Sequence, residues 1–154
     1  MVPPLRAVLV GRPRNRIQWG LDALLVLLLL VGTFAAYAVG FVEVSGGVVF
    51  LPGAATLIGF IVAVCIGAGR RGLLVACASV FAAYIGFQAE WAFLGLSSHS
   101  LAGKLAFLFD PVGLAVFGVA ALIIGTVGFG VGSLGRVSFE RLGWRPGPSL
   151  RSDE

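Results

Sequence analysis

The stretch GVAALIIGTVGFGVGSLG, from Gly118 to Gly135, carries no charge and ends in Gly130, Gly132 and Gly135, which have the spacing G-x-G-x-x-G. A dinucleotide-binding turn needs a strand before these glycines, a helix after them, and a second strand bearing a carboxylate about 20 residues on. Only RVSFERLGWRPGPSLRSDE follows Gly135, and Pro146 and Pro148 interrupt it. The dinucleotide unit cannot close. The small residues read differently when taken as a series: Gly118, Ala121, Gly125, Gly128, Gly132 and Gly135 step by 3, 4, 3, 4 and 3. That is the 3.5-residue period of a left-handed helix seam. The stretch is therefore expected to be one helix with a close-packing face, and no cofactor is expected to bind it.

The surroundings of the stretch decide its solvent. Of 154 residues, 58% are hydrophobic and 12% charged, and the mean hydropathy is +1.02, whereas soluble domains carry about 25% charged residues. Charges are sparse in four windows. Leu21 to Gly40 holds only Asp22, Gly72 to Trp91 holds only Glu90, and Val48 to Gly67 and Val112 to Gly132 hold none. Each has about the 20 residues that a membrane-crossing helix needs. The sequence thus predicts an all-α integral membrane protein, a bundle of four transmembrane helices over about residues 21–41, 48–68, 72–93 and 111–133 within a domain spanning 19–135.

Short cytoplasmic loops retain Arg and Lys. Arg6, Arg12, Arg14 and Arg16 precede the first window, Arg70 and Arg71 join the second to the third, and Arg136, Arg141, Arg145 and Arg151 follow the fourth. Lys104 alone falls on the other side, so both termini are expected in the cytoplasm. The net charge of +4 then reflects topology and attraction to anionic lipid head groups on the cytoplasmic side of a multi-pass cell-membrane protein. Nucleic acid is not an expected partner, because the arginines form short clusters flanking helices. Ten Arg to one Lys, with abundant Gly, Ala and Val, is the composition of a high-GC microbial genome.

Residues 1–18 read as a basic cytoplasmic arm and residues 136–154 as a basic tail whose end, beyond Pro146, is expected to be disordered. The rival reading of the N-terminus is a cleaved secretory signal, with LLVLLLLVG as its apolar region and Ala36-Tyr37-Ala38 as the cleavage triplet. Against it, apolar sequence continues through Val44. In the second outer loop, Leu101, Leu105, Leu108 and Phe109 recur at helical spacing, with Ser98 or Ser100 before them and Asp110-Pro111 after. A short interfacial helix is expected there, Asp110 and Pro111 supplying the N-cap and first turn of the next helix.

In lipid, helices associate through close backbone contact at small residues. Besides the series already given, Gly32, Ala36 and Gly40 mark the first helix, Ala55, Gly59, Ala63 and Gly67 the second, and Ala78, Ala82 and Gly86 the third, all at steps of four. Phe129 and Val131 lie off the stripe of the fourth.

Sites for chemistry are few. Cys65 and Cys77 sit at similar depth in a predicted hairpin, but two thiols cannot complete a structural zinc shell and read as small apolar residues. Asp22 suits the N-terminal end of its helix. Glu90 and Gln88 lie where the third helix leaves the bilayer, and with His99, Lys104 and Asp110 they form a candidate outer polar site for a cation or proton, weighed against ordinary interfacial solvation. His99 is the sole histidine, and neither a catalytic triad nor a metal motif is present, so no enzyme is expected. The expected role is an accessory, regulatory or oligomer-forming subunit, through self-association or contact with another membrane protein. The alternative is a transporter or channel module working as an oligomer.

Overall fold

A computed structural model describes Leu9 and residues 16–41, 52–69, 71–96 and 99–141. Among these residues the regular elements are helices: α1 (Arg16–Ala38), α2 (Gly53–Ala68), α3 (Leu73–Glu90), α4 (Leu101–Leu108) and α5 (Pro111–Arg141), with a π turn (Trp91–Gly95) extending α3. Three are long and apolar enough to cross a membrane: α1, α3 with its π turn, and the run from Leu101 to Phe139. The fourth apolar helix, α2, has 16 residues, about 24 Å at 1.5 Å per residue.

The helix ends follow from local chemistry. α1 begins at Arg16, a turn before the apolar window, and stops before Gly40, which has φ 71°. The Phe41 amide bonds the Ala36 carbonyl and the Gly40 amide the Tyr37 carbonyl, both within 3.0 Å. This is a Schellman cap, which needs a left-handed residue, and glycine takes that conformation without a Cβ clash. Ser100 accepts from the Gly103 amide and begins α4. Asp110 accepts from the Gly113 amide at 2.7 Å and begins α5 with Pro111 in its first turn. α5 runs on to Arg141, past the expected end near residue 133. The expected start of the second helix at Val48, most of the N-terminal arm, Ser98 and the end of the tail lie outside the described residues.

The contacts set the helix directions. Asp22 meets Arg71 and Tyr37 meets Phe87, so α1 and α3 run parallel. Thr56 meets Tyr84 and Gly59 meets Val80, so α2 runs antiparallel to α3. Phe117 stacks on Tyr84 and Gly125 lies on Cys77, so α5 is also antiparallel to α3. α3 is the common partner of α1, α2 and α5, and α2 also packs along α5. Accordingly α3 is buried on several sides, through Ala76, Val80, Ala83 and Tyr84. α1 packs on α3 and leaves Leu24, Leu28 and Val31 exposed.

Candidate functional site

The glycines of α5 separate into two groups. A Cβ at Gly125 would come within 2.8 Å of the Cys77 Cα, and one at Gly128 within 2.8 Å of the Ala63 Cβ. One at Gly132 would collide with the Val64 carbonyl oxygen. Ala121 is buried on the same helix face. At these positions the α5 backbone lies directly on α2 and α3, which only the smallest residues permit. Gly118 and Gly135, at the ends of the same series, would place a Cβ with nothing within 4 Å of it. The period is continuous, but the close approach is confined to its middle.

The other stripes divide similarly. On α2, Ala55, Gly59, Ala63 and Gly67 are all buried, and a Cβ at Gly67 would strike the Phe129 carbonyl. On α3, Ala82 and Gly86 are buried, and a Cβ at Gly86 would strike the Leu30 carbonyl of α1. Ala78 is exposed. On α1 the contact expectation does not describe Gly32, which is exposed with nothing within 4 Å, or Gly40, which ends the helix; Ala36 is half-buried. Period alone selects a face of α1, but that face is turned from α3.

Polar side chains in the interior are satisfied by one another or by the backbone. The Thr56 hydroxyl donates to the Pro52 carbonyl at 3.0 Å and lies 2.9 Å from the Tyr84 hydroxyl. With its own proton so engaged, Thr56 is the acceptor and Tyr84 the donor. Ser79 donates to the Val75 carbonyl. Asp22, 7% exposed, pairs with Arg71 at 2.9 Å, a partner from another helix hairpin rather than only the dipole of its own helix. Arg136 donates to the Gly67 carbonyl at 3.5 Å, tying α5 to the end of α2. Thr33 differs: it is 2% exposed, its Oγ1 has no hydrogen-bond partner among the described residues, and it lines a crevice between α1 and α2 with Leu25, Leu28, Gly32, Ile58 and Val62.

Of the outer polar residues, Gln88 and Asp110 come together beside Gly113, where a Cβ would lie 3.3 Å from the Asp110 Oδ2 and 3.5 Å from the Gln88 Nε2. Gln88, buried on α3, donates to the Phe107 carbonyl at 3.0 Å. Asp110 caps α5, and Lys104 donates to the Phe93 carbonyl at 3.0 Å. Glu90 is half-buried on α3, and His99 is exposed beside the start of α4. Gln88 and Lys104 thus serve backbone carbonyls at helix ends, where four oxygens lack intrahelical partners. Neither was legible from spacing, because the carbonyls they meet are supplied by another element. The described residues contain no group of three or more His, Cys, Asp and Glu side chains placed to hold a metal ion. The cysteines are both free, Cys77 buried against α5 and Cys65 exposed on α2.

The chain matches no protein-family model, no curated protein and no solved structure.

Proposed function

We propose that the chain crosses the cell membrane four times with both termini in the cytoplasm, and acts as a non-catalytic subunit of a membrane assembly, formed with its own copies or with another membrane protein. The parallel directions of α1 and α3 support the count, since a return crossing by α2 must lie between them. At about 24 Å, α2 is short for a hydrocarbon core of about 30 Å, and the sequence before it, Val48 to Leu51, is apolar. The ten arginines support the orientation.

The observation that carries this reading is the backbone seating of α5 on α2 and α3 at Gly125, Gly128 and Gly132, the kind of contact by which helices associate in lipid; among the described residues Thr56, Tyr84 and Ser79 bond one another or the backbone rather than lining a path. The alternative, a transport module, draws on the Thr33 hydroxyl in the crevice between α1 and α2.

Energy transfer between donor- and acceptor-labelled copies, reconstituted in vesicles at falling protein-to-lipid ratio, tests the first reading. Transfer that persists on dilution is expected for self-association. Random, dilution-dependent transfer together with solute flux through the same vesicles overturns it in favour of transport. An impermeant thiol reagent applied to intact cells tests the topology: cysteines at Ser45 and Ser98 should react, and those at Arg70 and Ser149 should not.

A further inference from the structure

We infer that α4 and the π turn are seated in the lipid–water interface of the outer leaflet, as an apolar platform strapped to the top of the bundle. This rests on the reading that α3 and α5 cross the membrane. The run from Leu101 to Phe139 has 39 residues, about 58 Å as one helix, whereas the hydrocarbon core is about 30 Å thick. It cannot cross upright over its full length. The break at Asp110 and Pro111 divides it, with the long apolar helix on one side and α4 on the other.

α4 buries none of its residues. One side carries Leu101, Leu105 and Phe109 at steps of four, with exposures of 66%, 40% and 64% and no charge among them. Lys104, the only charged residue of α4, is directed to the Phe93 carbonyl, and Gln88 holds the Phe107 carbonyl from below. These two bonds join α4 to α3 and its π turn from opposite directions, so the apolar side is presented by a fixed helix. Trp91 and Phe93 on the π turn are also exposed, and aromatic rings of this kind settle at head-group level.

Lipid is the occupant that the surface itself indicates. Within α5 the exposed Val112, Val116, Val119 and Ile123 recur in steps of 4, 3 and 4. Phe109 and Val112, on either side of the break between the two helices, are both exposed, so the apolar side of α4 adjoins the apolar residues that α5, read as a crossing, turns to the bilayer. Since that side is uncharged, its seating depends on apolar burial and is indifferent to lipid charge, unlike the arginine-flanked cytoplasmic side.

Spin labels on the full chain test this, in a Cys65→Ala, Cys77→Ala background reconstituted in phosphatidylcholine vesicles. A label at Leu105→Cys is expected to be shielded from a water-soluble nickel relaxant and reached by oxygen, at a shallower depth than one at Val119→Cys. Leu101→Cys, on the same side, serves if Leu105→Cys does not fold. Free access of nickel at Leu105 with Val119 still in lipid overturns the inference and leaves the crossings intact. Shielding of Leu105 from both reagents overturns it in favour of a protein cover. Nickel access at Val119 removes the membrane-spanning reading on which the inference rests.

Discussion

Asp22 and Arg71 stand 49 positions apart in the chain and form a 2.9 Å ion pair that joins the start of α1 to the start of α3. The two ends are unequally solvated: the Asp22 side chain is 9% exposed and that of Arg71 37%. Removing one partner of a buried pair costs about 3–5 kcal/mol because the other charge is left without compensation. Here the cost should depend on which partner remains. Arg71→Ala takes one partner from a buried carboxylate that keeps its other interactions and should lower stability by about 2 kcal/mol, less than the loss of a sole partner, whereas Asp22→Asn leaves a half-exposed guanidinium that water can reach and should cost about 1 kcal/mol. Unfolding of the two variants in mixed micelles checks the order, and equal losses would remove the argument from unequal burial.

The glycines of α5 offer a comparison within one helix. Gly132→Ala places a methyl against the Val64 carbonyl, which belongs to backbone and cannot swing aside. Overpacking of this kind costs about 1–3 kcal/mol. Gly118→Ala meets nothing within 4 Å and should stabilise by up to about 1 kcal/mol through helix propensity alone. Gly128→Leu should be more severe than Gly132→Ala, since its first added carbon already crowds Ala63 and Phe60. Val131, half-exposed, is the neutral control. Phe129 is not, because its side chain packs on the core and its backbone faces Gly67. Stability and assembly of the variants in detergent report the order.

What the residues disclosed in advance was either local or periodic. Ser100 and Asp110 cap helices through amides three positions away, so their roles are written in adjacent sequence. The apolar windows disclosed an all-helical chain, and the alternating three and four steps of α5 run through Gly125, Gly128 and Gly132, where its backbone lies on α2 and α3. Period does not say how far a neighbour extends or whether one is there, and so Gly118 and Gly135 on α5, and Gly32 on α1, carry the pattern without the contact. Gly40 follows the step of four but serves the helix end. The links of Asp22 to Arg71, Tyr84 to Thr56 and Gln88 to Phe107 depend on the relative heights of different elements, which no single segment encodes. Of the expected outer polar residues, Gln88 and Asp110 meet beside Gly113, whereas Lys104 turns to the Phe93 carbonyl.

The Tyr84–Thr56 contact predicts an inequality between two conservative changes. Tyr84 is fully buried and stacks on Phe117 with ring centroids 5.2 Å apart. Tyr84→Phe keeps the ring, and Thr56 keeps its bond to Pro52, so the loss should be about 0.5–1.5 kcal/mol. Thr56→Val keeps the volume but leaves the tyrosine hydroxyl buried with its acceptor gone, which should cost about 1–3 kcal/mol. Thermal unfolding in micelles distinguishes them. A Tyr84→Phe variant less stable than Thr56→Val would show that the hydrogen bond is not the main tie there.

Gln88 allows the link between α3 and α4 to be cut without disturbing the packing of α3 on its neighbours. Its amide donates to the Phe107 carbonyl at 3.0 Å, and the Leu108 carbonyl lies at 3.5 Å. Gln88→Leu keeps comparable bulk but supplies no donor to carbonyls at the end of an eight-residue helix, a length with little stability of its own in isolation. Hydrogen exchange should therefore accelerate across residues 101–109, while the core amides around Val80 and Tyr84 keep their protection. Gln88→Glu should act in the same direction and more strongly, because a carboxylate opposes the carbonyl oxygens. Lys104→Met should loosen the same segment from the other end, since it deletes the bond to Phe93. Uniformly faster exchange in all helices would instead make Gln88 a residue of the bundle core, and unchanged exchange over residues 101–109 would show that α4 is held by its apolar side alone.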